Sequence, residues 1–290
     1  MPSFPLIPFG IAVFLGAHGL RKKSLSPSGA ITAMVVGFLI MAAPLKAFGI
    51  SLIVFYLTGS RATKVGKEKK ASLEEGHMEA GYRDGWQVLC NSFTALVAST
   101  LWSILFAPES IHSWFYTAFV QPSLDLGHVA LNPSGRAYSP VDWCAVDPPV
   151  SQDWSRKLVF VALGHFACCL GDTLASELGV LSRSPPILIT TFKRVPPGTN
   201  GALSVLGTSA SALGGVVMGF TLALSLLMEN PACASPAAGP AGIINLTTQL
   251  IAYGAFGGLV GSLIDSLLGA TLQRTRFSLD SKRILQDHSE

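Results

Sequence analysis

Charge is what this sequence has least of. Asp, Glu, Lys and Arg together make up 13% of its 290 residues, about half their share in an ordinary soluble domain. Hydrophobic residues fill 49%, and the mean hydropathy is +0.48. Such a chain cannot cover a water-soluble surface; it belongs in a membrane. Ten-residue alternation of polar and apolar positions is also missing, which excludes a β-barrel and leaves helices as the spanning elements. The first apolar run has no basic stretch ahead of it and no A-x-A-like cleavage site behind it, so it reads as a span and not as a cleaved signal. No Arg- and Ser-rich transit segment precedes it either. No Cys/His spacing suits zinc, and no G-x-G-x-x-G follows a strand. The stretch GSRATKVGKE fails as a phosphate-binding loop, because Arg61 stands where glycine is needed and Glu68 where Ser or Thr is needed. Nucleic acid is not an expected partner.

What is present is apolar length. Runs near spanning size fall at 4–20, 28–43, 46–60, 87–106, 158–181, 201–228 and 241–270. The expected fold is all-α: a polytopic helical bundle of about seven transmembrane helices, forming one membrane domain over 1–290. The second and third runs are short and separated by little more than Pro44 and Lys46, which suggests a tight hairpin. The stretch 107–157 is the one long external loop. PES, QPS, NPSG and VDPPV interrupt any long helix there, and Trp114, Trp143 and Trp154 suit a membrane interface. Gly215-x-x-x-Gly219, Gly254-x-x-x-Gly258 and Gly257-x-x-x-Gly261 read as places where helices approach closely.

The basic residues give the chain a direction. Of the 20 Lys and Arg residues, 16 lie in segments that share one side if the helices alternate: 21–27, 61–86, 182–200 and the tail. The positive-inside rule makes that side cytosolic, with the N-terminus lumenal and the C-terminus cytosolic. An endomembrane such as the endoplasmic reticulum is the expected location. Cys144 and Cys233 fall on the opposite side, where a disulfide is permitted but not required. Cys90, Cys168 and Cys169 read as small packing residues.

Against this apolar background three carboxylates stand out. Asp172 and Glu177 lie in GDTLASELG, and Asp265 lies in GSLIDSLLG. A carboxylate at mid-membrane costs roughly 2.5–3.5 kcal/mol, so three cost about 7–10 kcal/mol. Asp172 sits nine residues from the expected helix end, about 14 Å deep. Five residues of helix turn Glu177 about 140° away from Asp172, so spacing alone does not put the two in one pocket. Ser262, Asp265, Ser266 and Gly269 share one helix face. Arg83, Gln87 and Asn91 recur every four residues as a polar stripe at the start of the fourth run. TFKRVPPGTNGALS places Lys193, Arg194, Thr199 and Asn200 ahead of a helix start, where free amides and cations suit an anion. Lys69 and Lys70 read equally well as part of a charge belt. Carboxylates beside Lys and Arg suit Mg²⁺ with phosphate: the acids hold the metal, and the cations neutralise charge on a transferred phosphoryl group.

Several stretches resemble the transmembrane protein 19 family of polytopic membrane proteins, which includes a plant phytyl-phosphate kinase. They are KKSLSPSGAITAMVVG, LTGSRATKVGKEKK, RDGWQVLCNS, GDTLASELGVLS, PPGTNGALSVLG and GSLIDSLLGATLQ, in order over about 20–275. The resemblance implies a helical membrane fold and, through the plant member, phosphate transfer from CTP onto an isoprenoid-alcohol monophosphate. Dolichol kinases share the looser pattern of Gly171-Asp172, Ala175-Ser176, Gly179, Lys193 and Gly198, although their K-T-x-E-G turn is missing here. The expectation is therefore a CTP-dependent kinase of an isoprenoid-type lipid phosphate, embedded in the lipid bilayer. Asp172, Glu177 and Asp265 would hold Mg²⁺. Lys64, Arg83, Lys193 and Arg194 would cradle phosphates, with Asn91, Thr199 and Asn200 orienting their oxygens. An ion-coupled transporter using the same carboxylates, and a non-catalytic membrane scaffold, are the alternatives.

Overall fold

The computed structural model of the protein describes residues 2–66, 70, 82–121, 137–146, 153–234, 239–273, 275–277 and 284–285. Of the charges weighed above, Lys67, Glu68, Lys69, Arg136, Arg274, Lys282 and Arg283 lie outside the described residues.

Each apolar run forms helix, with ends set by local chemistry. The first gives α1 (Leu6–Arg21) and the second α2 (Pro27–Met41). Ser26 starts α2 by accepting from Gly29 N at 2.9 Å, with Pro27 in the first turn, where a missing amide hydrogen is no loss. A four-residue turn leads to α3 (Lys46–Ala62), whose own cap residue, Leu45, offers no side-chain acceptor. Glu229 supplies it from far away: Lys46 N and Ala47 N each donate to its carboxylate at 2.7 Å.

The run at 87–106 is not one helix. It breaks into α4 (Gly85–Cys90) and α5 (Phe93–Phe106). Asp84 and Gln87 form a reciprocal capping box that fixes where α4 begins. At its end the Asn91 amide donates to Gln87 O at 2.8 Å and the Ser92 hydroxyl to Val88 O at 2.7 Å. The Ser92 hydroxyl thus takes the acceptor that its own amide would use in a continuing helix, and Ser92 N turns to Leu89 O instead. Arg83 consequently precedes the helix instead of starting a stripe along it. It lies extended beside Leu25, with Ser26 N donating to Arg83 O at 2.9 Å.

After α5 the chain bends by 83° into α6 (Ile111–Phe115) and a π-helical turn, Tyr116–Val120. Three long helices follow: α7 (Trp154–Gly179), α8 (Val205–Glu229) and α9 (Gly239–Leu272). Among the described residues these three are long and apolar enough to cross a membrane, and α5 with α6 and its π turn makes a fourth if counted as one bent span. The apolar helices α1 and α2, of 16 and 15 residues, measure about 22–24 Å, short of the roughly 30 Å hydrocarbon layer. The protein is an integral membrane helical protein with three candidate membrane-spanning helices among the described residues, or four with the bent pair.

The helices α7, α8 and α9 meet along glycine. A Cβ on Gly171 would come 2.8 Å from the Gly258 Cα, and one on Gly258 would come 2.6 Å from Ser211 O. Gly215 and Gly254 meet more closely still, each facing the other's carbonyl. These contacts bear out the packing reading of the G-x-x-x-G spacings. Around this seam, Phe48, Trp102, Phe106 and Phe166 are fully buried where α3, α5 and α7 pack together.

Part of the 107–157 stretch is tied to this core. Cys144 and Cys233 form a disulfide, and Ala232 N donates to Pro140 O at 3.1 Å. Trp143 is not an interface anchor: it is buried against Phe106 and Tyr138. Trp114 and Trp154 are exposed, as an interfacial residue would be.

Candidate functional site

The last turns of α7 separate two cavities. One, of about 270 Å³, is lined by Asp172, Ser176 and Gly179 of α7, by Ser262, Asp265 and Ser266 of α9, and by the loop and first turn leading into α8. The other, of about 100 Å³, lies among α1, α2 and α3 and is largely apolar, with Tyr56, Arg83, Asn91, Ser92 and Thr173 as its polar groups. Thr173 and Asp172 are adjacent in sequence and face different cavities.

The polar cavity is shaped by the segment between α7 and α8. Strand β1 (Ile187–Leu188) pairs antiparallel with β2 (Ala202–Leu203), with Ile187 opposite Leu203. Between them, Leu188 N donates to Lys193 O at 2.9 Å, and the turn Pro196–Gly201 folds over the opening. Gly198 (φ 88°) and Gly201 (φ 75°) take left-handed backbone that side chains resist. Gly201 also presses on α9, where a Cβ would strike Ser266 and Ala270. Thr199 donates to Pro196 O at 2.7 Å, which holds the turn closed, and Asn200 N donates to the Thr275 hydroxyl at 3.0 Å. Ser204 caps α8, accepting from Gly207 N at 3.1 Å and donating to Gly179 O at 3.2 Å.

This arrangement has a polarity of its own. Asp172 and Asp265 face the same cavity, and the Ser262 hydroxyl donates to Asp172 Oδ1 at 3.3 Å. The C-terminal ends of α7 and α9, which carry partial negative charge, lie beside them. Opposite stands the N-terminus of α8, with partial positive charge and first-turn amides. One side of the cavity therefore suits a cation and the other an anion. Asp172, Asp265, Ser262 and Ser266 offer oxygens to the cavity, the ligand type preferred by a hard divalent cation that keeps water and takes phosphate oxygens, and the Cys168 thiol lies near both carboxylates.

Glu177 does not join them. It turns to the other flank of α7 and accepts from Lys70 Nζ at 2.5 Å, with Lys70 only 4% exposed. Lys70 is thus an internal ion-pair partner and not a member of a solvated belt. Among the described residues no group of three or more His, Cys, Asp and Glu side chains is placed to hold a metal ion. The structure brings Asp172 and Asp265 together and leaves Glu177 apart.

The expected phosphate-binding residues divide in the same way. Thr199 and Asn200 line the polar cavity. Arg83 and Asn91 line the apolar one. Burial pulls the Arg83 guanidinium below its ordinary pKa, opposed by the nearby Glu177 carboxylate and Tyr56. Lys64, Lys193 and Arg194 are exposed and line neither cavity. Sequence reasoning missed Tyr56, and it missed Ser204 as the residue that joins α7 to α8. A serine directly before an apolar helix run was the available signal for the cap. For Tyr56 there was none, since an aromatic within a span reads as packing.

The sequence pattern of the integral membrane protein DUF92 family matches residues 10–290. Protein PGR of Arabidopsis thaliana is 35% identical over 283 residues, covering 95% of this chain and 82% of its own length. An uncharacterised membrane protein of Methanocaldococcus jannaschii is 25% identical over 254 residues, or 88% of this chain and 77% of its own. Protein VTE6, chloroplastic, also of Arabidopsis thaliana, is 26% identical over 203 residues, covering 70% of this chain and 48% of its own. No solved structure matches the chain.

Proposed function

The chain belongs to the integral membrane protein DUF92 family, and from that premise we propose that it is a CTP-dependent kinase of an isoprenoid-alcohol monophosphate. The observation that carries this reading is the polar cavity, which sets two carboxylates against a glycine turn and a helix N-terminus. In this reading Asp172 and Asp265, with Ser262 beside them, hold Mg²⁺. When bound, the ion neutralises charge on the phosphates. Thr199, Asn200 and the first amides of α8 take oxygens of the donor triphosphate. Lys64, Lys193 and Arg194 stand outside and draw the nucleotide in by their summed charge. Arg83 receives the phosphate of the acceptor.

The reaction needs little covalent help from the protein. An oxygen of the acceptor monophosphate attacks the γ-phosphorus, the bond to the β-phosphate oxygen breaks, and CDP leaves. A monophosphate oxygen carries no proton that must first be removed by a strong base, so positioning and charge neutralisation supply most of the rate. The cavity opens on the basic side of the protein, which this reading makes cytosolic, where a soluble nucleotide is available. All seven apolar segments then cross an endomembrane, the shorter ones in locally thinned bilayer.

Ion-coupled transport would need a polar passage onward from Asp172. In that direction lie Gly171, Gly214, Gly215, Gly254 and Gly258, packed backbone on backbone, which favours a dead-end pocket. The test is direct. Purified protein with Mg²⁺, γ-labelled CTP and a panel of prenyl monophosphates should yield labelled prenyl diphosphate, and Asp172→Asn should abolish it. A folded protein that binds CTP but labels no member of the panel would sink the proposed acceptor class.

A further inference from the structure

The cavity among α1, α2 and α3 has a chemistry that donor binding does not use. Leu15, Val36, Met41, Leu52 and Phe55 give it apolar walls, while Tyr56, Arg83 and Asn91 bring polar groups into it. Its two ends differ. Arg83 lies beside Leu25 and under Gly29, at the start of α2. Met41 closes α2 at the other end. Along α2 the lining residues run from Ala33 to Met41, about 12 Å of helix. A narrow apolar slot with a cation at one end is complementary to a single hydrocarbon chain bearing an anionic head.

Two further features fit that occupant. Lys70 pairs with Glu177, so the carboxylate that lies near Arg83 is shared with a second cation and an incoming anion meets a net positive cluster. Gly37 lines the slot with no side chain, and a Cβ there would meet only Met41 Cε at 3.7 Å and Ala12 Cβ at 3.9 Å. The backbone is thus drawn back where a chain would pass. Thr173 borders this slot and Asp172 the polar cavity, so Arg83 captures the head group beside α7, and the lipid phosphate must then pass the C-terminal end of that helix to reach the donor.

We propose that this slot is the binding site of the acceptor: it takes the apolar chain of a lipid monophosphate, Arg83 and Asn91 receive the phosphate, and Gly37 sets how far the chain reaches. That the bound lipid is a phosphate acceptor rests on the kinase reading; the site itself does not.

The experiment uses a diazirine-tagged farnesyl monophosphate, photolysed with the intact protein in nanodiscs, followed by peptide mapping. Label is expected on α2 between Ala33 and Met41 or on α3 between Leu52 and Tyr56, displaced by farnesyl monophosphate and not by farnesol. Arg83→Gln should raise the KM for the lipid phosphate by about ten- to a hundredfold, the range for loss of a charged hydrogen bond, and leave the KM for CTP unchanged. Gly37→Leu should shift preference from geranylgeranyl to geranyl monophosphate. Gly37→Ala, for which there is room, should do so more weakly if the larger residue fails to fold. Label on other helices in a protein that still transfers phosphate overturns the slot and keeps the kinase. Displacement by farnesol as readily as by the phosphate also overturns it, since the slot would then be an unselective lipid recess. Label in the slot, displaced by phosphate, with no transfer to CTP-dependent product, supports the slot and overturns the kinase reading.

Discussion

Glu177 and Lys70 form a pair in which the lysine is nearly buried and the acid one-quarter exposed. Removing the acid strands a cation without its partner, so Glu177→Gln should destabilise the protein by about 2–4 kcal/mol, near the range for breaking a buried ion pair. Thermal unfolding in detergent would read this as a lowered midpoint. The double change Lys70→Met with Glu177→Leu should recover most of the loss; no recovery would mean that the pair is not the source. Asp172 behaves differently, because its neighbours are Ser262 and a second acid, Asp265. Asp172→Asn should leave the unfolding midpoint nearly unchanged, while phosphoryl transfer falls by at least about a hundredfold. At this scale the sequence was half legible. An acid in an apolar run is conspicuous because of what it costs to bury, so Asp172, Glu177 and Asp265 could be singled out. Which of them share a cavity depends on helices brought together from distant parts of the chain. The partner of Glu177 lies 107 residues away in a run that looks like surface charge.

Among the elements, α7, α8 and α9 depend on contacts that only a missing side chain allows. Gly215→Ala should push α8 away from Gly254 and lower the unfolding midpoint by several degrees, as expected for a change of about 1–3 kcal/mol. Gly164→Ala, on the same α7 but with nothing within 4 Å of the added carbon, should be neutral or raise the midpoint slightly, since alanine is the better helix former. Equal losses from both would show that glycine matters here for the helix backbone and not for the seam. The seven helical stretches were readable from apolar length, which is a property of the chain alone. The break between α4 and α5 was not read, because it lies where the Ser92 hydroxyl bonds back to Val88 O and Ser92 N shifts to Leu89 O, a local exchange of partners that leaves no trace in apolar length. The small hairpin of β1 and β2 was equally hidden, since two-residue strands leave no period to detect.

The molecule as a whole has two unlike ends. One carries the polar cavity and most of the described basic residues; the other carries the Cys144–Cys233 disulfide and the half-buried Tyr138, whose hydroxyl is pushed above its ordinary pKa by burial and by Glu229. If the disulfide end is lumenal, a Cys144→Ser variant in sealed vesicles should expose Cys233 to a membrane-impermeant maleimide only after the vesicles are opened. Labelling of Cys233 in intact, cytosolic-side-out vesicles would reverse the orientation. Losing the bridge should also lower stability by about 2–5 kcal/mol, the usual range for a native disulfide. The Glu229 carboxylate, which ends α8 and holds the first amides of α3, has a consequence for the order of biosynthesis. Its two partners are made 183 and 182 residues earlier. At ordinary translation speeds that interval is roughly 10–40 s. For that time a newly inserted α3 has an open end, and the emerging chain must be kept near it until the ribosome has passed residue 229.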